Sequence, residues 1–311
     1  MNGLRIVSTG KALPKKMVSN EELSKRVDTS DEWITSRTGI KNRYVCEEES
    51  CVSLAVMAGK NAVEKSGIDK EQIGVVIVAT STPNHIVPSV ACMVAKNLEL
   101  EEEVMAFDLS AACTGFLYGM GIANGLLSNL MKPYALVIGS EQMSNMVDYE
   151  DRASCILFGD GAGAAVLERS TNRFVQRSWT RGNERALYCE GIAGEKRKLS
   201  MNGKDVFKFA VVELERAIRN ILETAKMSIE DLDYVICHQA NARIVEHVKK
   251  KFKGYEEKFP LNIENYGNTS AASIPMMLSD LFEAGKLKPG MKIVCVGFGG
   301  GLTWSSAYME L

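Results

Sequence analysis

Lys65 to Ser81, KSGIDKEQIGVVIVATS, returns half a chain later as Ala225 to Gln239, AKMSIEDLDYVICHQ. Each reads as a helix end, a short acidic turn and an apolar strand. Two further pairs keep the same order. Ser110-Ala111-Ala112-Cys113 is echoed by Ser270-Ala271-Ala272-Ser273, each opening an apolar helix, and Lys132-Pro133 by Lys288-Pro289, each shortly before a strand. A single short match carries no weight, but three in one order point to two similar α/β halves, residues 1–170 and 171–311. Equivalent loops of such halves face one another across the junction, a usual place for a site.

The runs Gly74 to Ala79, Val104 to Phe107, Ala135 to Gly139 and Lys292 to Val296 are apolar and β-branched, the signature of buried strands. Between them, Phe207 to Ala225 places Ala210, Leu214, Ala217, Ile218, Ile221 and Leu222 on one face of a helix and charge on the other. With 46% hydrophobic and 24% charged residues, the 311-residue chain has a globular composition. Its 37 basic and 39 acidic residues give a net charge of -2, without the basic excess that holds proteins on nucleic acid or anionic membranes. The eight cysteines form no CxxC pair and no metal-ligand cluster, which fits a reducing cytoplasm and no bound metal. No secretory leader and no apolar run of membrane-spanning length is expected.

Cys113 follows a strand and precedes the small, apolar segment TGFLYGMGIANGLL. At a helix amino end, backbone NH groups and the dipole would favour thiolate. Position alone leaves open a second reading, a small buried hydrophobe. His238, in VICHQAN, ends an apolar strand, where α/β proteins place ligands; His247 reads as a surface residue and His85 as a loop residue. Asn268, in NYGNTSAAS, lies in the turn paired with that of Cys113 and could equally be a helix cap. Phe298 to Gly301 follows what reads as the last long strand and would expose backbone NH groups; Phe158 to Gly163 reads as a tight turn. Neither fits a dinucleotide or P-loop fingerprint.

In order, SDEWITSRTGI, DLSAACTGF, DRASCILFGDGAGAAVL, HQAN, NYGNTSAAS and GFGGGLTW cover nearly the whole chain. Together they resemble β-ketoacyl-acyl carrier protein synthase III. The resemblance implies a thiolase-like fold, with two duplicated βαβαβ-type halves in a layered α/β/α/β/α core, and a homodimer. It implies a Cys113-His238-Asn268 triad and the first condensation of type II fatty acid synthesis, in which acetyl-CoA or another short acyl-CoA and malonyl-acyl carrier protein give 3-ketoacyl-acyl carrier protein, CoA and carbon dioxide. No cofactor is implied.

The resemblance also assigns an oxyanion hole to the backbone NH of Cys113 and Gly300, and enolate stabilisation to His238 and Asn268. It places Trp33, Arg37 and Arg152 on the adenine and phosphates of CoA, and Gly203 and Asn241 along the pantetheine channel. Lys208, Arg243, Lys250 and Lys251 match a basic surface for the acidic carrier protein. Val87 stands where some members have Phe in the acyl pocket of the partner subunit, which implies room for starters longer or more branched than acetyl. Ser305 replaces a common Gly, and residues 172–201 carry no readable motif. Two rivals share the triad: a papain-like hydrolase, whose Cys, His and Asn follow the same order, and a thiolase-fold condensing enzyme of specialised metabolism.

Overall fold

Alternate side chains of each long apolar run enter two different cores, which is why the runs are continuous rather than alternating. In the computed structural model, which describes residues 3–191 and 198–311, nine strands form the two main sheets. The first sheet holds β1 (Gly3–Ala12), β2 (Ile73–Ala79), β3 (Met105–Leu109), β4 (Tyr134–Glu141) and β5 (Gly161–Ser170), in the spatial order β1-β5-β4-β2-β3. The second holds β6 (Phe174–Thr180), β7 (Tyr234–Cys237), β8 (Lys292–Gly299) and β9 (Thr303–Glu310), in the order β6-β9-β8-β7. Each sheet carries the same pattern of parallel and antiparallel neighbours. The second lacks the partner of β3.

The helices that matter for the site are α1 (Asp31–Thr38), α2 (Cys51–Ser66), α3 (Val90–Asn97), α4 (Gly115–Leu127), α5 (Gly203–Ala225), α6 (Ala242–Lys249) and α7 (Ser273–Glu283). Helices α4 and α7 lie between the sheets, α2 and α3 cover the outside of the first, and α5 packs on the outside of the second with α6 against it. Five layers result. On β4, Ala135 and Val137 enter the central core while Leu136 and Ile138 face α2; on β8, Ile293 and Cys295 face the centre while Val294 and Val296 face α5. Sandwiched helix α7 is buried at every position from Ser273 to Ser279, so it has no polar stripe.

The structure shifts several boundaries. Helix α5 starts four residues before the amphipathic pattern, because Asn202 caps a polar first turn by accepting from the Asp205 NH at 3.2 Å. Gly161 and Gly163 already belong to β5 rather than to a turn. Lys292–Gly299 is not the last strand, since Gly300 to Leu302 only connects it to β9. The repeated SAA tripeptide is two residues out of register. Left-handed backbone falls at Ala112 (φ 45°) and Ser270 (φ 50°), the 3-10 turns span Ala112–Thr114 and Ser270–Ala272, and α4 and α7 follow directly. Cys113 therefore corresponds to Ala271, not Ser273. Of residues 172–201, those at 192–197 lie outside the described residues.

Candidate active site

Ala112 turns the chain out of β3 into its 3-10 turn, and Cys113 sits in that turn, two residues before α4 begins. The Cys113 thiol donates to Ser270 Oγ at 3.5 Å, and the Ser270 hydroxyl donates to Glu141 Oε1 at 3.0 Å. Burial pushes the thiol up to about 12; the bond to Ser270 opposes this and the charge of Glu141 adds to it. This direction runs against the thiolate expected at the helix end. One short turn of NH groups does not offset burial beside a carboxylate.

His238 follows β7, with its backbone NH on Val296 O at 2.8 Å. It is 1% exposed, its ring meets Phe298 edge-on at 5.5 Å, and neither ring nitrogen has a hydrogen-bond partner among the described residues. Burial holds the imidazole down at about 3, so it is neutral and offers one NH donor and one acceptor nitrogen. Asn268 is buried as well. Its Oδ1 accepts from the Ser270 NH at 2.9 Å, which orients the amide and leaves Nδ2 as the free donor.

Strand β8 brings Cys113 and His238 together. A Cβ on Gly299 would stand 2.7 Å from Cys113 N and 3.1 Å from Cys113 Cβ, and one on Gly297 3.4 Å from His238 Cβ. Residues two apart share a strand face, so Cys113 and His238 pack against the same face of β8, one at Gly299 and the other at Gly297. Gly300 abuts Ala112, and the Gln239 NH on Ser273 Oγ at 2.8 Å ties the histidine loop to α7. A cavity of about 260 Å³ beside the strand pair 16–19 and 42–45, lined by Arg26, Arg43, Tyr149 and Cys155 among others, includes none of these residues.

The structure groups Trp33, Arg37, Arg152 and Asn241. The Arg152 guanidinium lies 4.7 Å and that of Arg37 5.8 Å from the Trp33 ring centre, and Arg152 donates to Asp28 O at 2.9 Å. Asn241 caps α6 through the Arg243 NH at 2.9 Å and donates to Arg37 O at 3.1 Å, joining α6 to α1. Gly203 is exposed at the start of α5, and no hydrogen bond joins it to this group among the described residues. Lys208, Arg243, Lys250 and Lys251 are exposed on α5, α6 and the residues just after it, with the Arg243 guanidinium 5.7 Å from the Phe207 ring centre; Lys249 is instead paired with Glu246 at 2.6 Å. Val87 is 84% exposed in the loop before α3, well away from its own chain's interior.

Glu141 and Ser270 were not singled out by sequence. A carboxylate that directly continues an apolar parallel strand, ALVIGSE, was the available signal, because such a strand end points into a ligand crevice. Glu141 is fully buried and its carboxyl is pushed up by that burial, while hydroxyls of Thr80 and Thr82 and the Ser81 NH hold it.

The depressed imidazole has a consequence for stability. Below its ordinary value of 6.5 the unfolded chain binds a proton that folded His238 refuses until about 3. Its contribution is complete above pH 6.5 and is lost as pH falls toward 3, by up to about 1.4 kcal/mol per pH unit. Urea unfolding from pH 7 to 4.5 should therefore show a shallower decline for His238→Gln than for wild type; equal slopes would remove His238 as a cause.

Two family descriptions match the chain: 3-oxoacyl-[acyl-carrier-protein (ACP)] synthase III over residues 107–181, and its C-terminal part over residues 222–311. The chain is 41% identical over 325 residues to β-ketoacyl-[acyl-carrier-protein] synthase III of Clostridium acetobutylicum, covering 100% of this chain and 99% of the relative. The crystal structure of 3-oxoacyl-[acyl-carrier-protein] synthase III from Aquifex aeolicus superposes with a TM-score of 0.95 at 42% identity, covering 99% of this chain and 100% of that one. For the Thermus thermophilus enzyme of the same name the TM-score is 0.93 at 35% identity, with 98% of both chains covered. The fold is thiolase-like, and the chain belongs to the 3-oxoacyl-[acyl-carrier-protein] synthase III family.

Proposed function

We propose that this protein is the initiating condensing enzyme of type II fatty acid synthesis. It transfers the acyl group of acetyl-CoA, or another short acyl-CoA, to Cys113 and condenses it with malonyl-acyl carrier protein. The products are 3-ketoacyl-acyl carrier protein, CoA and carbon dioxide. The observation that carries the reading is His238, an enclosed neutral imidazole whose two nitrogens lack partners among the described residues, one strand dipeptide from the nucleophile.

A thiol suits the first step because, once deprotonated, it attacks a thioester and later leaves from one. The backbone NH groups of Cys113 and Gly300 hold the tetrahedral oxyanion. Loss of carbon dioxide from the malonyl unit puts charge on its thioester oxygen, which the His238 NH and Asn268 Nδ2 receive while its carbon attacks the acyl-cysteine. Neither step needs a metal or redox cofactor. A papain-like hydrolase would need the histidine to take the thiol proton, and an imidazole held near 3 with no bond to the thiol is a poor base for that.

Trp33, Arg37 and Arg152 hold the adenine and phosphates of CoA; Gly203 and Asn241 border the pantetheine. Trp33→Ala should raise KM for acyl-CoA about 10-fold with little change in kcat, the loss of one stacking contact. Lys208, Arg243, Lys250 and Lys251, which form no ion pair among the described residues, receive the acidic carrier protein. Edge strand β3, with Met105 46% exposed, and the loop of Ile86 and Val87 form the face for a second copy, whose Val87 closes the acyl pocket. No described helix is long and apolar enough to cross a membrane, and we assign the protein to the cytoplasm. We place the boundary between the halves at residue 170, because no strand pairing in the main sheets crosses it.

Intact-mass spectrometry with a panel of acyl-CoAs, followed by peptide mapping, tests this. A single adduct on the Cys113 peptide, absent in Cys113→Ala and discharged by malonyl-acyl carrier protein, is expected, with branched or longer starters accepted beside acetyl because Val87 is small. An adduct confined to acetyl would refute the role of Val87. No adduct at all would refute the CoA-primed reading.

A further inference from the structure

We propose that Ser270 and Glu141 form a proton relay for Cys113, with the Glu141 carboxylate as the store that takes the thiol proton on acylation and returns it on condensation. The proposal rests on the acyl-transfer reading above. Its geometry is a directed line: Cys113 Sγ donates to Ser270 Oγ, and Ser270 Oγ donates to Glu141 Oε1. The two carboxylate oxygens differ. Thr80, Ser81 and Thr82 all donate to Oε2, whereas among the described residues Oε1 is met by Ser270. That leaves Oε1 with capacity to accept a proton. Ser270 is held in left-handed backbone, uncommon for a residue with a side chain, by the Asn268 Oδ1 bond to its NH. Asn268 thus aims the hydroxyl that contacts the nucleophile.

The bookkeeping closes over one turnover. As Sγ attacks the acyl carbon, its S–H bond breaks, Ser270 takes that proton and passes its own to Glu141, and CoA leaves as a thiolate that takes a proton from solvent. In the second half-reaction the malonyl carboxylate departs as carbon dioxide and its electron pair forms the new carbon–carbon bond. The Cys113–acyl bond breaks, and the departing thiolate regains its proton from Glu141 through Ser270. Burial and the charge of Glu141 push the thiol up and so disfavour thiolate at neutral pH, and the line through Ser270 to Glu141 Oε1 puts an acceptor in place for its proton. Titratable neighbours stay silent across pH 6–10: Cys51 on α2, bonded to Thr80 at 3.3 Å, is pushed up to about 12, and His238 on the β7 side is held near 3. The Asp108 carboxylate is occupied by the NH groups of Val90 and Ala91.

Ser270 touches the reacting thiol, and Glu141 acts through it as a positioning and storage residue. The test is the pH profile of Cys113 modification by iodoacetamide, followed by peptide mapping, in wild type, Ser270→Ala and Glu141→Gln, with single-turnover acetyl transfer from acetyl-CoA in parallel. Wild type should react at a rate nearly level from pH 6.5 to 9. Each variant should be about 100-fold slower at pH 7, rise tenfold per pH unit and approach wild type by pH 9. Ser270→Ala keeps every bond to Oε2, so it decides the matter if Glu141→Gln fails to fold. Identical profiles in all three proteins, or variants slower by one constant factor at every pH, would overturn the relay. Normal alkylation with no acyl transfer in wild type would instead overturn the acyl-transfer reading, and the alkylation profiles would still decide the relay.

Discussion

His238→Ala is expected to lower the condensation rate about 100- to 1,000-fold while Cys113 continues to take an acyl group from acyl-CoA at close to the wild-type rate. The imidazole is neutral and makes no hydrogen bond to the thiol, so its removal takes no base away from acylation. What disappears is one NH aimed at the enolate oxygen, and one such donor is worth about 3 kcal/mol in a site shielded from water. The variant should therefore accumulate as acyl-enzyme on addition of malonyl-acyl carrier protein, seen by intact mass, and release little carbon dioxide. An equal loss in both half-reactions would remove His238 from the enolate site. The neutral ring also predicts that the condensation rate shows no imidazole titration between pH 5 and 9.

Gly299→Ala should cut both half-reactions about 100-fold without unfolding the protein. Its methyl would meet Cys113 N at 2.7 Å and Cys113 Cβ at 3.1 Å, and the backbone of the nucleophile turn must move to admit it. A displacement of about 1 Å at a reacting atom costs two orders of magnitude in rate. Gly297→Ala is the matched control. It lies on the same strand face, but its methyl makes an ordinary 3.4 Å contact with His238 Cβ and should retain most activity. Near-UV circular dichroism and melting temperature separate displacement from unfolding, and wild-type rates in Gly299→Ala would show that β8 does not set the position of Cys113.

Much of the layered core was legible because several strands that face two cores read as unbroken apolar runs, Val75 to Ala79 and Ile293 to Val296 among them, whereas β9 also faces two cores but carries Ser305 and Ser306 and did not read as one. Cys113, His238 and Asn268 were proposed from family motifs and strand ends; β8, paired with β7, passes both Cys113 and His238, and Ser270 in the facing 3-10 turn links Cys113 to Asn268. The helix-end argument for Cys113 was local, counting only the nearby NH groups, whereas burial and, after it, the charge of Glu141 push the thiol the other way through residues distant in sequence. The shifted SAA repeat misled for a related reason. Left-handed backbone at Ala112 and Ser270, not residue identity, sets which turn positions correspond.

The two glycines of β8 act as a gauge block whose length is fixed by the strand itself. An insertion or deletion of one residue there would turn the contact faces over, separating nucleophile from imidazole. The stretch from Gly297 to Gly299 is therefore expected to keep one length wherever this chemistry is kept.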